Sequence, residues 1–354
     1  MLKQNNILVI RLSSLGDVLM TIPAVKAIRE KFPDGYISWL VEGSVGEFLK
    51  HQDFVNEVIV FPRGNFTKEL GKGKFLRAGN IIGPFWRQLR ERKYDLIIDF
   101  HGILKSVTLA MMARGEKRIG FGDMFAKEKS HFFYHKRING SDKRIHKVER
   151  NMLLARYLGC AGPPPEVTLS VSDNAAAYVD GFFRGIDNTP PAFAVNPFSS
   201  RGTDFKRWPL ENYAGLIARI HRELEKSTII LWGPGEEGEA RRLKEMSGEG
   251  AYLACPTSIP QLFALLARIP VYIGGDTGVM HLAAAAGTTV ISLFGPTDSQ
   301  INAPYGRKHV IIREDVPCSP CKKKDCSDRR CFIPITVNKV FESINTVLER
   351  NRAN

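Results

Sequence analysis

Residues 271–287 read VYIGGDTGVMHLAAAAG, and this stretch decides the architecture: an apolar strand, a two-glycine turn and the opening of a helix. Asp276 and Thr277 stand where the helix begins, so unpaired backbone N–H groups gather at the positive end of its dipole, which suits a phosphate. Small residues at 283–286 let that helix lie close to a sheet. His281 follows Thr277 by four positions, one helical turn, and shares its face.

The same alternation runs outward in both directions. In the second half, residues 193–196, 227–232, 252–254 and 290–294 join 271–273 as strands, and 210–223, 236–247, 259–267 and 279–287 have helical spacing. In the first half, 7–10, 36–41, 55–61 and 96–100 read as strands, with helices over 18–31, 86–92, 105–113 and 148–158. Residues 114–147 read as a long, basic, aromatic functional loop. Repeated strand–helix–strand units imply an α/β protein with two doubly wound parallel sheets, here expected over 1–172 and 173–354, with the sheet ends of both halves around one cleft. A last amphipathic helix over 337–350 is expected to pack back across the first half.

At 354 residues, 44% hydrophobic and 25% charged, the chain has core material for two ordinary domains. No apolar run approaches the roughly 18 residues that cross a bilayer, and the start reads as a first strand, so a cytoplasmic protein is expected. The net charge of +13 is concentrated: residues 61–160 hold 22 Lys and Arg against 9 Asp and Glu, and the rest of the chain balances. Such a surplus points to an anionic partner, namely nucleic acid, anionic lipid or a phosphorylated substrate, or else to a solvated basic face. Nucleic acid is disfavoured because no binding module for it is recognisable.

Three further motifs carry chemistry. RLSSLGD, residues 11–17, follows the first strand; Asp17 there is either a helix cap or a carboxylate able to take a proton from an attacking hydroxyl. In NPFSSRGTDFKRWP, residues 196–209, Ser199 and Ser200 offer hydroxyls to phosphate, and Lys206 offers a charge that can neutralise a departing diphosphate; Lys206 and Arg207 also fit as ordinary surface charges. In LWGPGEE, residues 231–237, Glu236 or Glu237 suits a helix dipole without any ligand and is equally placed to bind ribose hydroxyls.

Together these segments resemble a known family. ILVIRLSSLGDVLMTIPAVKAIR, YDLIIDFHGILKSVTLAMMARG, KRWPLENYAGLI, LWGPGEEGEARRL and IGGDTGVMHLAAAAGTTVISLFGPTD are similar to the ADP-heptose:lipopolysaccharide heptosyltransferases of glycosyltransferase family 9, in order and over nearly the whole chain. The front half is more similar to the heptosyltransferase I type. The resemblance implies a GT-B fold with an N-terminal acceptor domain and a C-terminal donor domain. It also implies an inverting transfer of L-glycero-D-manno-heptose from ADP-heptose to Kdo-lipid A, with no cofactor required for catalysis. Asp17 would be the general base, and Lys206 with Ser199, Ser200, Thr277 and Gly278 would hold the diphosphate. Asp276 and His281 would meet the heptose, Glu236 or Glu237 the ribose, and Lys105 and Arg150 the anionic acceptor. The enzyme would work peripherally at the cytoplasmic face of the inner membrane.

Other readings stay in play. The acceptor could be a later core heptose or a protein serine; a GT-B nucleotide-sugar epimerase or a non-catalytic polysaccharide binder would have less use for the basic first half. Cys318, Cys321, Cys326 and Cys331, four thiols in fourteen residues, could close a structural zinc site or stand as reduced cysteines.

Overall fold

A computed structural model describes residues 6–186, 191–321, 323 and 326–353, with side chains described to residue 351. The chain divides into two compact units, Met1–Ser170 and Val171–Asn354.

The first unit opens with β1 (Asn6–Ile10), α1 (Leu15–Leu19), α2 (Ile22–Lys31), β2 (Tyr36–Glu42), α3 (Val45–Leu49) and β3 (Glu57–Phe61). A helical hairpin follows, α4 (Arg63–Gly71) and α5 (Phe75–Glu91), then β4 (Tyr94–Asp99), α6 (Leu104–Met112), β5 (Gly115–Phe121), β6 (Lys136–Ile138) and α7 (Lys147–Tyr157). The six strands form one parallel sheet in the order β3-β2-β1-β4-β5-β6. Its central strand is the apolar run expected over 7–10: Ile7, Leu8, Val9 and Ile10 are fully buried, as a strand covered on both faces requires. Phe85 and Leu89 of α5 and Leu109 and Ala110 of α6 close one core cluster over Leu8, Ile10, Leu40, Ile59 and Ile97.

The second unit contains α8 (Asp173–Arg184), β7 (Phe193–Asn196), α9 (Leu210–Leu224), β8 (Thr228–Ile230), α10 (Glu237–Ser247), β9 (Ala251–Leu253) and α11 (Ile259–Leu266). It continues with β10 (Val271–Gly275), α12 (Gly278–Ala285), β11 (Thr289–Phe294), α13 (Ser299–Asn302), β12 (Val310–Arg313) and α14 (Val337–Ala353). Its parallel sheet runs β12-β11-β10-β7-β8-β9, the same winding as the first. In each sheet the order reverses beside its first strand, between β1 and β4 and between β7 and β10. Loops leaving the carboxyl ends of such a pair diverge to opposite faces and open a crevice for a ligand.

Three expectations change. Residues 114–147 are not one long loop: 115–121 and 136–138 are strands at the end of the sheet. Lys117 and Arg118 are not buried and only residues 119–121 of β5 are, so the apolar signal of a buried strand is missing. The single helix over 18–31 is two, α1 and α2, parted at Met20–Thr21 with Pro23 in the first turn of α2. The closing helix α14 buries Val340, Phe341, Ile344 and Val347 in the second unit's own core, against α9 and β11, where the first half was expected. Trp208 of that core donates from Nε1 to the Ile335 carbonyl at 2.8 Å and so pins the entry to α14.

Phe341→Ala leaves a cavity beneath α14 and costs about 3–5 kcal/mol of the second unit's stability. Denaturant unfolding followed by the fluorescence of buried Trp208 measures it; a loss below about 1 kcal/mol contradicts this packing.

Candidate functional site

At the β1/β4 reversal, the segment after β1 carries Arg11 and Asp17. Ser14 caps α1, and Asp17 sits at the third helical position, where its carboxylate returns to accept from Ser14 N (3.4 Å) and Ser14 Oγ (3.1 Å). This is the capping role the sequence allowed. The other oxygen meets Arg11 at 3.0 Å and Lys147, from the first turn of α7, at 2.8 Å. Burial alone would raise the Asp17 pKa, but the two cations and the hydrogen bonds from Lys147 and Ser14 outweigh it and hold the carboxyl well below the usual range. Asp17 is therefore ionised at any physiological pH.

Arg11 is buried, donates to the Phe100 carbonyl at 2.5 Å, and leaves its Nε without a hydrogen-bond partner among the described residues. Arg150, one turn beyond Lys147, packs its guanidinium over the rings of Phe121 (5.6 Å) and Phe125 (5.5 Å). Its buried Nε also lacks a partner among the described residues. Burial first, then the charge of Arg11, push Arg150 down to about 10, still cationic at neutral pH. His101, in the segment after β4, accepts from Leu12 N through Nδ1 at 3.2 Å. Burial and the charges of Arg11, Lys105 and Lys127 push it down to about 3, so it is neutral and carries its proton on Nε2.

Asp99 organises that segment. Fully buried at the end of β4, it accepts from Tyr134 Oη and Ser106 Oγ (both 2.7 Å) and from the N–H groups of His101 (2.8 Å) and Gly102 (3.2 Å). Burial raises its pKa against these bonds. Lys105 is near this edge but engaged: its Nζ lies 2.7 Å from Glu42 Oε1 and 2.9 Å from Oε2, at the end of β2.

At the β7/β10 reversal, Lys206 pairs with Asp276 at 3.3 Å. Thr277 caps α12, accepting from Met280 N at 3.4 Å and from Asn196 Nδ2 at 3.3 Å. Gly275 is needed for this approach, because a Cβ there would stand 3.2 Å from the Lys206 carbonyl. Gly278 begins the helix, and His281 is buried one turn on. Ser199 is buried with its hydroxyl donating to the Thr203 carbonyl (3.0 Å) and accepting from Arg207 Nε (3.2 Å), while Ser200 is exposed.

Glu236 and Glu237 part company. Glu236 returns Oε2 to Gly233 N at 2.8 Å and lies 3.6 Å from Arg207, with burial raising its pKa. Glu237 faces Arg241 along the surface of α10. The structure thus brings Lys206, Asp276, Thr277 and Gly278 to one edge, links Ser199 and Glu236 through Arg207, and leaves Glu237 outside. Sequence reading missed Arg11, Lys147, His101, Asp99, Asn196 and Arg207. Position alone could have flagged Arg11 and Asn196, each next to the end of its strand.

The four cysteines line one cavity of about 620 Å³ with Lys323, Arg329 and Arg330. Cys321 N donates to the Pro296 carbonyl at 2.8 Å, Cys331 is buried, and burial with the other thiols raises the Cys331 pKa. Lys322, Lys324 and Asp325 lie outside the described residues. Among the described residues no three His, Cys, Asp or Glu side chains are arranged to hold a metal.

Two parallel sheets of this winding are the architecture of the GT-B glycosyltransferases, which the solved heptosyltransferases similar to this chain share. The chain belongs to glycosyltransferase family 9 (heptosyltransferase), whose family model matches residues 82–331. Lipopolysaccharide heptosyltransferase 1 of Pseudomonas aeruginosa is 31% identical over 92% of this chain and 90% of that one. Lipopolysaccharide heptosyltransferase 2 of Escherichia coli is 25% identical over 98% and 99%. Among solved structures, E. coli heptosyltransferase WaaC with ADP is 25% identical, with a TM-score of 0.75 over 97% of this chain and 99% of that chain.

Asp17 is lowered, so its ion pairs stabilise the fold above the unfolded carboxyl value of about 4, and that stabilisation fades as pH falls toward the folded value. Lys147→Met removes one of the lowering charges. Stability at neutral pH then falls, and less of it is lost as the pH drops below about 4, which denaturant unfolding at a series of pH values measures. An unchanged pH dependence of stability would separate Lys147 from Asp17.

Proposed function

We propose that this chain moves L-glycero-D-manno-heptose from ADP-heptose, with inversion, onto the Kdo-lipid A inner core of lipopolysaccharide. The first unit takes the acceptor and the second the donor. The observation that carries the acceptor side is the electrostatics around Asp17: one carboxylate faces Arg11, Lys147 and Arg150, with unfilled guanidinium donors on two of them. Cations in excess of their own counter-charge call for an anionic ligand, and Kdo carboxylates and lipid A phosphates supply it. Lys105 joins them once an acceptor anion competes with Glu42.

Asp17 accepts the proton of the attacking Kdo hydroxyl as the bond to the anomeric carbon forms and the bond from that carbon to ADP breaks. Lys206 and the N–H groups at Thr277 and Gly278 meet the negative charge that grows on the departing diphosphate. Ser200 adds a hydroxyl to that cradle, joined by Ser199 once its proton turns from the Thr203 carbonyl to the phosphate, Asp276 and His281 orient the heptose, and Glu236 accepts from the ribose hydroxyls. A zinc held by Cys318, Cys321, Cys326 and Cys331 would be structural and takes no part in these steps. The similarity to heptosyltransferase 1 at 31% identity favours Kdo-lipid A over a later core heptose or a protein serine. The basic first half favours an acceptor-dependent transferase over an epimerase. No described helix is long and apolar enough to cross a membrane, and the enzyme is read as a peripheral protein of the cytoplasmic face.

Incubating the protein with ADP-heptose and either Kdo-lipid A or its heptosylated product tests this by mass: only the first should gain one heptose. Gain by the second alone would reassign the acceptor. Asp17→Asn lowers the turnover by about 100-fold or more while ADP-heptose binding, read by calorimetry, persists; a loss under tenfold would remove Asp17 from proton transfer. Glu236→Gln raises the donor KM about tenfold with little change for the acceptor, whereas Glu237→Gln leaves both unchanged. Equal effects of the two variants would reopen the choice between them.

A further inference from the structure

The α4–α5 hairpin is the least buried part of the first unit, and the function above makes no use of it. No residue of α4 is buried, and every residue from Leu70 to Arg77 is exposed. At its turn stand three large apolar side chains, Leu70 (42% exposed), Phe75 (71%) and Leu76 (87%). Lys68, Lys72, Lys74 and Arg77 surround them, and residues 63–77 hold five cations against the single acid Glu69. A groove of about 390 Å³ between the helices is lined by Lys68 and Arg77 together with Asn65, Glu69, Asn80 and Ile81. The far end of α5 is fixed: Phe85 and Leu89 are buried in the core, and Phe85 stacks on Phe61 of β3 with ring centroids 5.0 Å apart. The hairpin is thus a firm arm with an apolar, cationic tip.

We infer that this tip docks the enzyme on an anionic lipid bilayer, with Leu70, Phe75 and Leu76 entering the interface and the surrounding lysines and Arg77 lying among the headgroups. Water gains nothing from three exposed apolar side chains at a turn, whereas a bilayer interface removes them from it. Cations flanking such a wedge are drawn by the negative surface potential of anionic lipids. Charge decides against a second copy of the chain as occupant, since a two-fold interface would press the same cations against each other. The inference rests on the reading that the acceptor is a membrane glycolipid; it adds the element that brings the enzyme to it.

The test pairs vesicle co-sedimentation of the full chain with heptose transfer to a Kdo-lipid A analogue whose short acyl chains keep it in solution. Wild type should sediment with vesicles of 70% phosphatidylcholine and 30% phosphatidylglycerol, but weakly with phosphatidylcholine alone, and should be released at about 1 M salt. Phe75→Ser with Leu76→Ser, and separately Lys72→Gln with Lys74→Gln, should each weaken vesicle binding roughly tenfold while transfer to the soluble analogue is unchanged. All four side chains are exposed, so both variants fold, which circular dichroism verifies. Unchanged vesicle binding by both variants overturns the inference, as does equal binding to neutral vesicles. Loss of self-association in place of lipid binding, seen by sedimentation velocity, assigns the tip to a second copy and overturns it too. Wild type that transfers heptose but binds no vesicle defeats the docking inference alone; wild type that transfers none defeats the functional reading whatever the vesicles show.

Discussion

The two polar clusters described above depend on where two parallel sheets reverse their strand order. Side by side in a parallel sheet, β1 and β4 end at the same edge, with Ile10 paired to Asp99, but their connections leave to opposite faces. Buried strands can carry no charge of their own at that edge without a partner, so the charge arrives in the segments beyond them, with Arg11 and Asp17 on one side and Lys105 on the other. The second sheet repeats the arrangement with Gly274 paired to Asn196. There the loop to Lys206 and the turn at Asp276 meet because Gly275 leaves room for a backbone carbonyl. The apolar core supplies the rigidity; the reversal supplies the place.

Each cluster is held by groups that do no chemistry. Asp99 gathers two hydroxyls and two N–H groups, which fixes the segment bearing His101 and Lys105. A fully buried carboxyl survives there because four donors replace the water it has lost. Arg207 performs the matching task in the second unit, tying Ser199, Asp204, Glu236 and Glu239 into one network. Both hold their neighbours in place, and neither role shows in a motif reading that looks for reactive groups.

How much could be read beforehand follows from the same physics. The central strands announced themselves, because burial on both faces writes continuous apolar runs such as ILVI and VYIGG. The helices with one buried stripe, α9 and α11 among them, were placed within a residue or two. The strands β5 and β6 were lost because Lys117, Arg118, Lys136 and Arg137 give no alternation to detect. The helix α4, with nothing buried, has no periodic stripe, and its long exposed turn reads as loop. At the two reversals, residues inside recognisable motifs could be named beforehand, whereas the links of Lys147 to Asp17 and of Arg207 to Glu236 span 130 and 29 residues of sequence, a distance that no local pattern carries. The ambiguity between Glu236 and Glu237 was likewise spatial: one turns inward to Gly233 N, the other runs along the helix to Arg241.

On the proposed reading, the electrostatics of Asp17 also constrain the timing of the transfer. A carboxylate gripped by Arg11 and Lys147 is always ionised, which is the form a base needs, yet it is a weak base for the same reason. It cannot strip a sugar hydroxyl in advance. It can receive the proton once bonding to the anomeric carbon has made that hydroxyl acidic, which puts proton transfer late, after ADP has begun to leave. An anionic acceptor eases this step: carboxylate or phosphate oxygens that occupy Arg150 and share Lys147 draw positive charge away from Asp17 and raise its proton affinity only when the acceptor is in place. The cations that recruit the acceptor therefore also keep the base idle until it arrives, so that the bound donor is shielded from attack by water meanwhile.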